Sequence, residues 1–383
     1  MTHHETTNQS DEILARSTEF VPPALDRFRE ENSGSVVDWR IALKRAIRSG
    51  HELRSILGLD GDALSCNGGQ FGGDSGGSKK TFDPLVRSEK AFPTFVPLEY
   101  LSRIRPRDPN DPLLRQVLPD PNEDTETPGF VTDPVGDLQV MPAQAILHKY
   151  HGRALVVTTG ACGVHCRYCF RREFPYSEAS AGGQSLEPAL KYLGEHTEVE
   201  EVLLSGGDPL TLVDQRLHDM VEAIAQFEHV KRLRVHTRMP IVIPQRVTDE
   251  LIEIFRRAPL AVWFVVHVNH PRELDSHVLE RLARLIDAGI PVLNQAVLLK
   301  GVNDSVETLE QLCNLLVNHR IQPYYLHQLD RVRGASHFEV SVEKGLAIIR
   351  ELRKRLPGYA MPEYVVEESG ETSKTPIVSS LNP

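Results

Sequence analysis

From about residue 150 to residue 330, short apolar or β-branched runs alternate with amphipathic stretches. The runs are RALVVTTG (153–160), EEVLLSGG (200–207), RLRVHTR (232–238), AVWFVVHVN (261–269), PVLNQAVLL (291–299) and QPYYLHQLD (322–330). Between them lie helical patterns such as LVDQRLHDMVEAIAQFE and RELDSHVLERLARLIDAG. Such alternation predicts a parallel sheet, because parallel neighbours need long crossovers. Runs this continuous in apolar residues predict burial on both faces of each strand. The pattern is satisfied by a doubly wound sheet or by a barrel. Both architectures place ligands at the C-terminal ends of the strands. Polar, ligand-capable residues cluster there: Ser205-Gly206-Gly207-Asp208, His236-Thr237-Arg238, His267 to His270, Gly301 to Asp304, and Asp330.

The flanks are less regular. Apolar residues at near-helical spacing from Asp38 to Leu59, interrupted at Ser49-Gly50, predict two short helices. GDALSCNGGQFGGDSGGSKK (61–80) reads as a flexible insertion in which Cys66 is incidental. A proline-rich stretch from Phe92 to Asp133 predicts a segment lying over a larger body. The expected organisation is a helical region with its insertion (1–90), a connecting segment (91–145), the strand–helix body (146–356) and a C-terminal arm (357–383).

MTHHETTNQSDEILARS has neither a basic region nor an apolar run, so no secretory signal is expected, and Leu260 to Val268 is too short to span a bilayer. The reducing cytoplasm is the expected compartment, where cysteines serve as metal ligands or catalysts more often than as disulfides. A net charge of -10 argues against nucleic acid as a partner.

Three of the 5 cysteines fall in TTGACGVHCRYCFRREFPY, spaced Cys162-x-x-x-Cys166-x-x-Cys169 on the loop after the first strand run. A tetrahedral zinc site would want a fourth ligand, for which His165 is the nearby candidate. A Cys-x-x-Cys redox pair leaves Cys162 unexplained. An iron–sulfur cube held by three cysteines keeps one iron open for a ligand, and the spacing favours it. Cys313, in LEQLCNLL, is most simply a core residue.

CGVHCRYC resembles the cluster loop of radical S-adenosylmethionine enzymes. SGGDP resembles their glycine motif, and glycine lets backbone approach a ligand closely. The chain is further similar to the pyridoxal-phosphate-dependent lysine 2,3-aminomutase family, nearest the branch that supplies β-lysine for elongation factor P. The similarity is carried by DPNDPLLRQVLP, HCRYCFRREFPY, SGGDPL, PIVIP, GVND, YYLHQLD, GASHF and SKTP. It implies a partial (β/α)6 barrel of parallel strands with an N-terminal extension and a C-terminal cofactor-binding arm. Cys162, Cys166 and Cys169 would hold a 4Fe–4S cluster, and Lys374 would carry pyridoxal 5′-phosphate, with Lys149, Tyr150 and Arg153 about its phosphate. Ser205, Gly206, Gly207, Asp208, His267 and Gln295 would approach S-adenosylmethionine.

By the same resemblance Arg171 would clamp the carboxylate of L-lysine, while Asp330 and Glu367 would receive its ε-ammonium. Glu367 stands where the clostridial-type enzymes carry aspartate. Two acids favour a cationic substrate, because a substrate carboxylate would be repelled. Alternatives are a mutase for arginine, ornithine or glutamate, or a non-catalytic metal-binding module. An electron donor is implied as a partner, no membrane partner is expected, and a homo-oligomer is an open alternative. Arg172 has a position but no assigned role.

Overall fold

The computed structural model describes residues 37–59, 84–181 and 186–378. The glycine- and serine-rich insertion, Cys66 and the first 36 residues lie outside them. The two short helices form at Trp39–Arg45 and Gly50–Ile56, capped by the side chains of Asp38 and Ser49.

A nine-stranded sheet organises the rest, with its strands in sequence order. Its members are β1 (Ile146–Tyr150), β2 (Arg153–Thr159), β3 (Glu201–Gly206), β4 (Arg232–Thr237), β5 (Ala261–His267), β6 (Val292–Val297), β7 (Gln322–His327), β8 (Glu363–Val366) and β9 (Thr375–Pro376). β2 through β8 run parallel, while β1 and β9 are antiparallel to their neighbours at the two edges. All six strand runs read from the sequence are present as β2 to β7. β1, β8 and β9 are additions, and the last two carry the C-terminal stretch onto the sheet.

Helices return the chain between the parallel strands, including Asp214–Ala225, Asp249–Arg257, Ser276–Asp287, Val306–Asn318 and Val342–Arg355. Thr248, Asp275, Ser305 and Ser341 cap four of them through side-chain oxygens. Cys313 is buried in the core, as its helical setting predicts.

Burial on both strand faces is not what the sheet does. In β3, β4 and β6 buried and half-buried residues alternate. Val202, Leu204, Leu233, Val235, Val292 and Ala296 join the apolar core. Leu203, Ser205, Arg234, His236, Leu293 and Gln295, one residue out of phase, line a cavity of about 600 Å³. Side chains from β1 to β7 reach this one space, so the sheet curls around it. Where the backbone ladder stops, a side-chain seam continues: Lys149 on β1 meets Glu367 just past β8, Nζ to Oε1 2.8 Å. The fold is an α/β partial barrel of parallel strands with short antiparallel edges.

Candidate active site

Every residue assigned a site role from the sequence lines this cavity. Cys162, Cys166 and Cys169 come from the loop after β2, and none is in a disulfide. Burial first, then the neighbouring sulfurs, push the Cys162 thiol up and bring Cys169 to about 11. The thiols thus sense one another and need a cationic partner to release their protons. Among the described residues no three His, Cys, Asp or Glu side chains converge as ligands of a single ion would. His165 turns away: its Nδ1 lies 2.8 Å from the Pro93 carbonyl oxygen, and its ring stacks on Phe92.

The turn after β3 meets the cysteine loop backbone to backbone. Gly207 N–H donates to Thr159 O, and Asp208 N–H to Ala161 O, both at 2.7 Å. A Cβ on Gly207 would collide with the Ala161 carbonyl. Gly206 has φ +117°, and a Cβ there would stand 2.7 Å from Thr159 O. These glycines therefore admit the cysteine loop itself, a closer demand than the ligand approach expected of them. Asp208 is spent inside the wall. Its carboxylate accepts from Leu210 N, Thr237 Oγ1, Arg238 N and Met239 N, tying the β3 turn to the end of β4. Burial outweighs those bonds and raises its pKa to about 6.

The arginines beside the cysteines divide in purpose. Arg172, without a role in the sequence, donates to Glu123 Oε2 (2.6 Å) and to the carbonyls of Arg167 and Gly334. Arg167, fully buried, takes both oxygens of the same carboxylate at 2.8 and 2.5 Å. Arg171 instead lines the cavity, with Nε on Asp137 Oδ2 at 2.7 Å and Nη1 3.4 Å from Ser205 Oγ. Burial works against its charge, but Asp137, Tyr176 and Glu367 outweigh it and hold the guanidinium firmly protonated.

At the rim of the sheet Glu367 accepts from Lys149 and makes a very close contact with Lys374 Nζ. Burial opposes ionisation of Glu367, yet these two ammonium groups take its pKa well below the ordinary carboxylate range. Tyr150 lies beside it, and burial followed by the Glu367 charge pushes its phenol up. Arg153 stacks over Tyr150, 4.7 Å from the ring centre. Asp330 is the contrast. Its Oδ1 is buried with no hydrogen-bond partner. Burial, followed by the charge of Glu367, raises its pKa to about 7.

His267 Nε2 lies 2.8 Å from the Tyr168 hydroxyl, and burial followed by Arg238 lowers the pKa of the ring to about 3, leaving it neutral. Gln295 lies 3.5 Å from His236 Nδ1. Sequence reasoning missed Asp137, Glu123, Gln116 and Glu273, and it noted Arg238 only as a polar residue at a strand end. Their partners are remote in sequence: Arg238 and Gln116 are 122 positions apart. No local pattern signals such pairs.

The donor set suits the cofactors of one enzyme class: three thiols on one loop, none in a disulfide, and a lysine amine beside further cationic side chains, all on one cavity. The family model for the radical SAM superfamily matches residues 156–316, which hold the three cysteines and the turn after β3. The L-lysine 2,3-aminomutase of Escherichia coli K12 is 40% identical over 346 residues, covering 90% of this chain and 96% of that protein. The enzyme of that name from Haemophilus influenzae is 41% identical over 294 residues, covering 77% and 87%. That of Clostridium subterminale is 33% identical over 352 residues, covering 92% and 80%. The chain belongs to the lysine 2,3-aminomutase family. It is an isomerase that works with a 4Fe–4S cluster, S-adenosylmethionine and pyridoxal phosphate. Among the described residues no helix is long and apolar enough to cross a membrane.

Proposed function

We propose that this enzyme moves the α-amino group of L-lysine to the β-carbon, giving β-lysine. The observation that carries the reading is the presence on one cavity of Asp330, whose Oδ1 is buried with no hydrogen-bond partner, and of a guanidinium, Arg171, that keeps nitrogens free of its Asp137 bond. A substrate with a carboxylate at one end and an ammonium at the other satisfies both groups. Glu367 already meets two lysines, so Asp330 is the stronger acceptor for the ε-ammonium. A cation arriving there also restores the ionised form of Asp330, which burial opposes.

Cys162, Cys166 and Cys169 would bind the cluster, and Lys374 the pyridoxal phosphate, with Lys149, Tyr150 and Arg153 as its cationic and phenolic surround. Ser205, His267 and Gln295 line the side assigned to S-adenosylmethionine, whereas Gly206, Gly207 and Asp208 hold the loop that presents it. Bound together, these groups supply a carbon radical that takes a hydrogen atom and a conjugated ring through which nitrogen can migrate. Arg171 lies within electrostatic reach of both Cys169 and Glu367. It therefore fixes the substrate between the radical source and the lysine-bearing rim.

Anaerobic turnover with iron, sulfide, pyridoxal phosphate, S-adenosylmethionine and a strong reductant tests the reading. Lysine, arginine, ornithine and glutamate are offered separately, and the β-amino acid is sought by mass spectrometry. Lysine is expected to be preferred; glutamate as the preferred substrate overturns the assignment of Asp330. The same reading places the enzyme in the cytoplasm and makes elongation factor P the user of its product. In cells lacking the enzyme, elongation factor P is then expected to lose the mass of one β-lysyl group.

A further inference from the structure

Arg238 directly follows β4 and lines the cavity beside the cysteine loop, with its backbone N–H on Asp208 Oδ2 at 2.7 Å. Its side chain is buried. Nη1 lies 2.7 Å from Cys166 Sγ and 2.8 Å from the Tyr168 hydroxyl. Nη2 donates to Gln116 Oε1 and Glu273 Oε2, both at 2.8 Å. The rings of Tyr100 and Tyr168 flank the guanidinium, with centres 5.6 and 5.9 Å away. Glu273 is itself immobilised: its Oε1 accepts from Gln116 Nε2, Asn269 N and His270 N at 3.1, 3.0 and 3.0 Å. The positive charge therefore cannot swing away from the sulfur, and one fixed carboxylate balances it.

We propose that Arg238 is a positioning residue for Cys166 and that the Arg238–Glu273 pair sets how readily the bound cluster accepts an electron. The proposal rests on the reading of Cys166 as a cluster ligand. A donor to a ligating sulfur draws charge off the thiolate and stabilises the more negative, reduced cluster. The pair is dry, so screening is weak and each charge counts. The step concerned is a one-electron transfer: a low-potential donor is oxidised by one electron, the cluster is reduced by one, and no bond is made or broken. Arg167 and Arg172 do not duplicate the contact, since their hydrogen bonds go to Glu123 and backbone carbonyls.

The two partners carry opposite charge, so removing each should move the cluster in opposite directions. A purely structural role predicts no such sign. Wild-type, Arg238→Gln, Arg238→Lys and Glu273→Gln holoenzymes are reconstituted anaerobically, their iron is counted, and their midpoint potentials are measured by spin-resonance titration. Arg238→Gln is expected to shift the potential negative, Arg238→Lys less so, and Glu273→Gln positive. Unshifted potentials in iron-replete Arg238→Gln and Glu273→Gln, or shifts of the same sign, overturn the proposal. If Arg238→Gln does not retain iron, Glu273→Gln decides alone, and a null or negative shift overturns it. If every variant loses iron, Arg238 holds the cluster rather than tuning it, and the claim falls. A wild-type protein without a reducible cluster would instead defeat the underlying assignment of the cysteines, which separates the two failures.

Discussion

Around the cysteine loop, each of three buried guanidiniums has a carboxylate partner, and Arg238 Nε alone of their donors is buried without a hydrogen bond. Glu123 serves Arg167 and Arg172, and Glu273 serves Arg238 with help from two backbone amides and an amide side chain. At the lysine-bearing rim of the cavity the charges are matched differently: Asp330 keeps an unpartnered oxygen, and Glu367 draws two ammonium groups at once. The two regions use the same residue types to opposite ends. A charge-matched network fixes geometry, because each partner lost leaves a desolvated charge alone. An unmatched one stores unfavourable electrostatics that a ligand of the right charge relieves. The difference separates scaffold from binding surface more sharply than residue identity does.

The largest effect is expected where the cysteine loop meets the turn after β3. Gly207→Ala would drive a methyl group into the Ala161 carbonyl, so the loop must move. Reconstituted protein is expected to lose its iron and the cluster's visible absorbance. Full iron retention would show that the loop has slack the backbone contacts deny. On the charge-matched side, Glu123→Ala would strand Arg167 and Arg172 and should destabilise the fold by about 3–5 kcal/mol in denaturant unfolding. A loss below about 1 kcal/mol would break the contrast, since exposed pairs lose that little.

The smallest effect is a pH dependence with opposite slopes. Asp330 titrates near pH 7 in the fold against 3.8 as a free group. Its contribution to apoprotein stability is therefore present below about pH 4 and lost as pH rises through 7. Glu367 is depressed in the fold, so its contribution is present above its free value of 4.5 and lost on acidification. Asp330→Asn should remove the first slope and leave the second, as read from unfolding free energies across pH. Persistence of the first slope would mean that another group carries it.

Much of this was legible in sequence. The six parallel strands and the cysteine spacing are local patterns, and each appears where the pattern puts it. β1 and β8 escaped because ILHKY and EYVV are short and carry no clear period. The seam between their ends is a side-chain contact, Lys149 to Glu367, 218 positions apart. The cavity face of the strands was misjudged for a related reason: periodicity reports which residues alternate, not whether a strand's second face packs or encloses space. The matched pairs around the cysteines were invisible, since Glu123 lies in a proline-rich loop that looks like surface. Arg172 shows the consequence, gaining its role only once Glu123 is beside it.

The most direct test pairs two measurements on Asp330→Asn: the unfolding free energy of the apoprotein at neutral pH and kcat/KM for lysine in the reconstituted enzyme. An unsaturated binding carboxylate predicts stability unchanged or raised, with kcat/KM reduced by the equivalent of about 2–5 kcal/mol. Lost stability with undiminished kcat/KM would contradict it and move Asp330 to the scaffold.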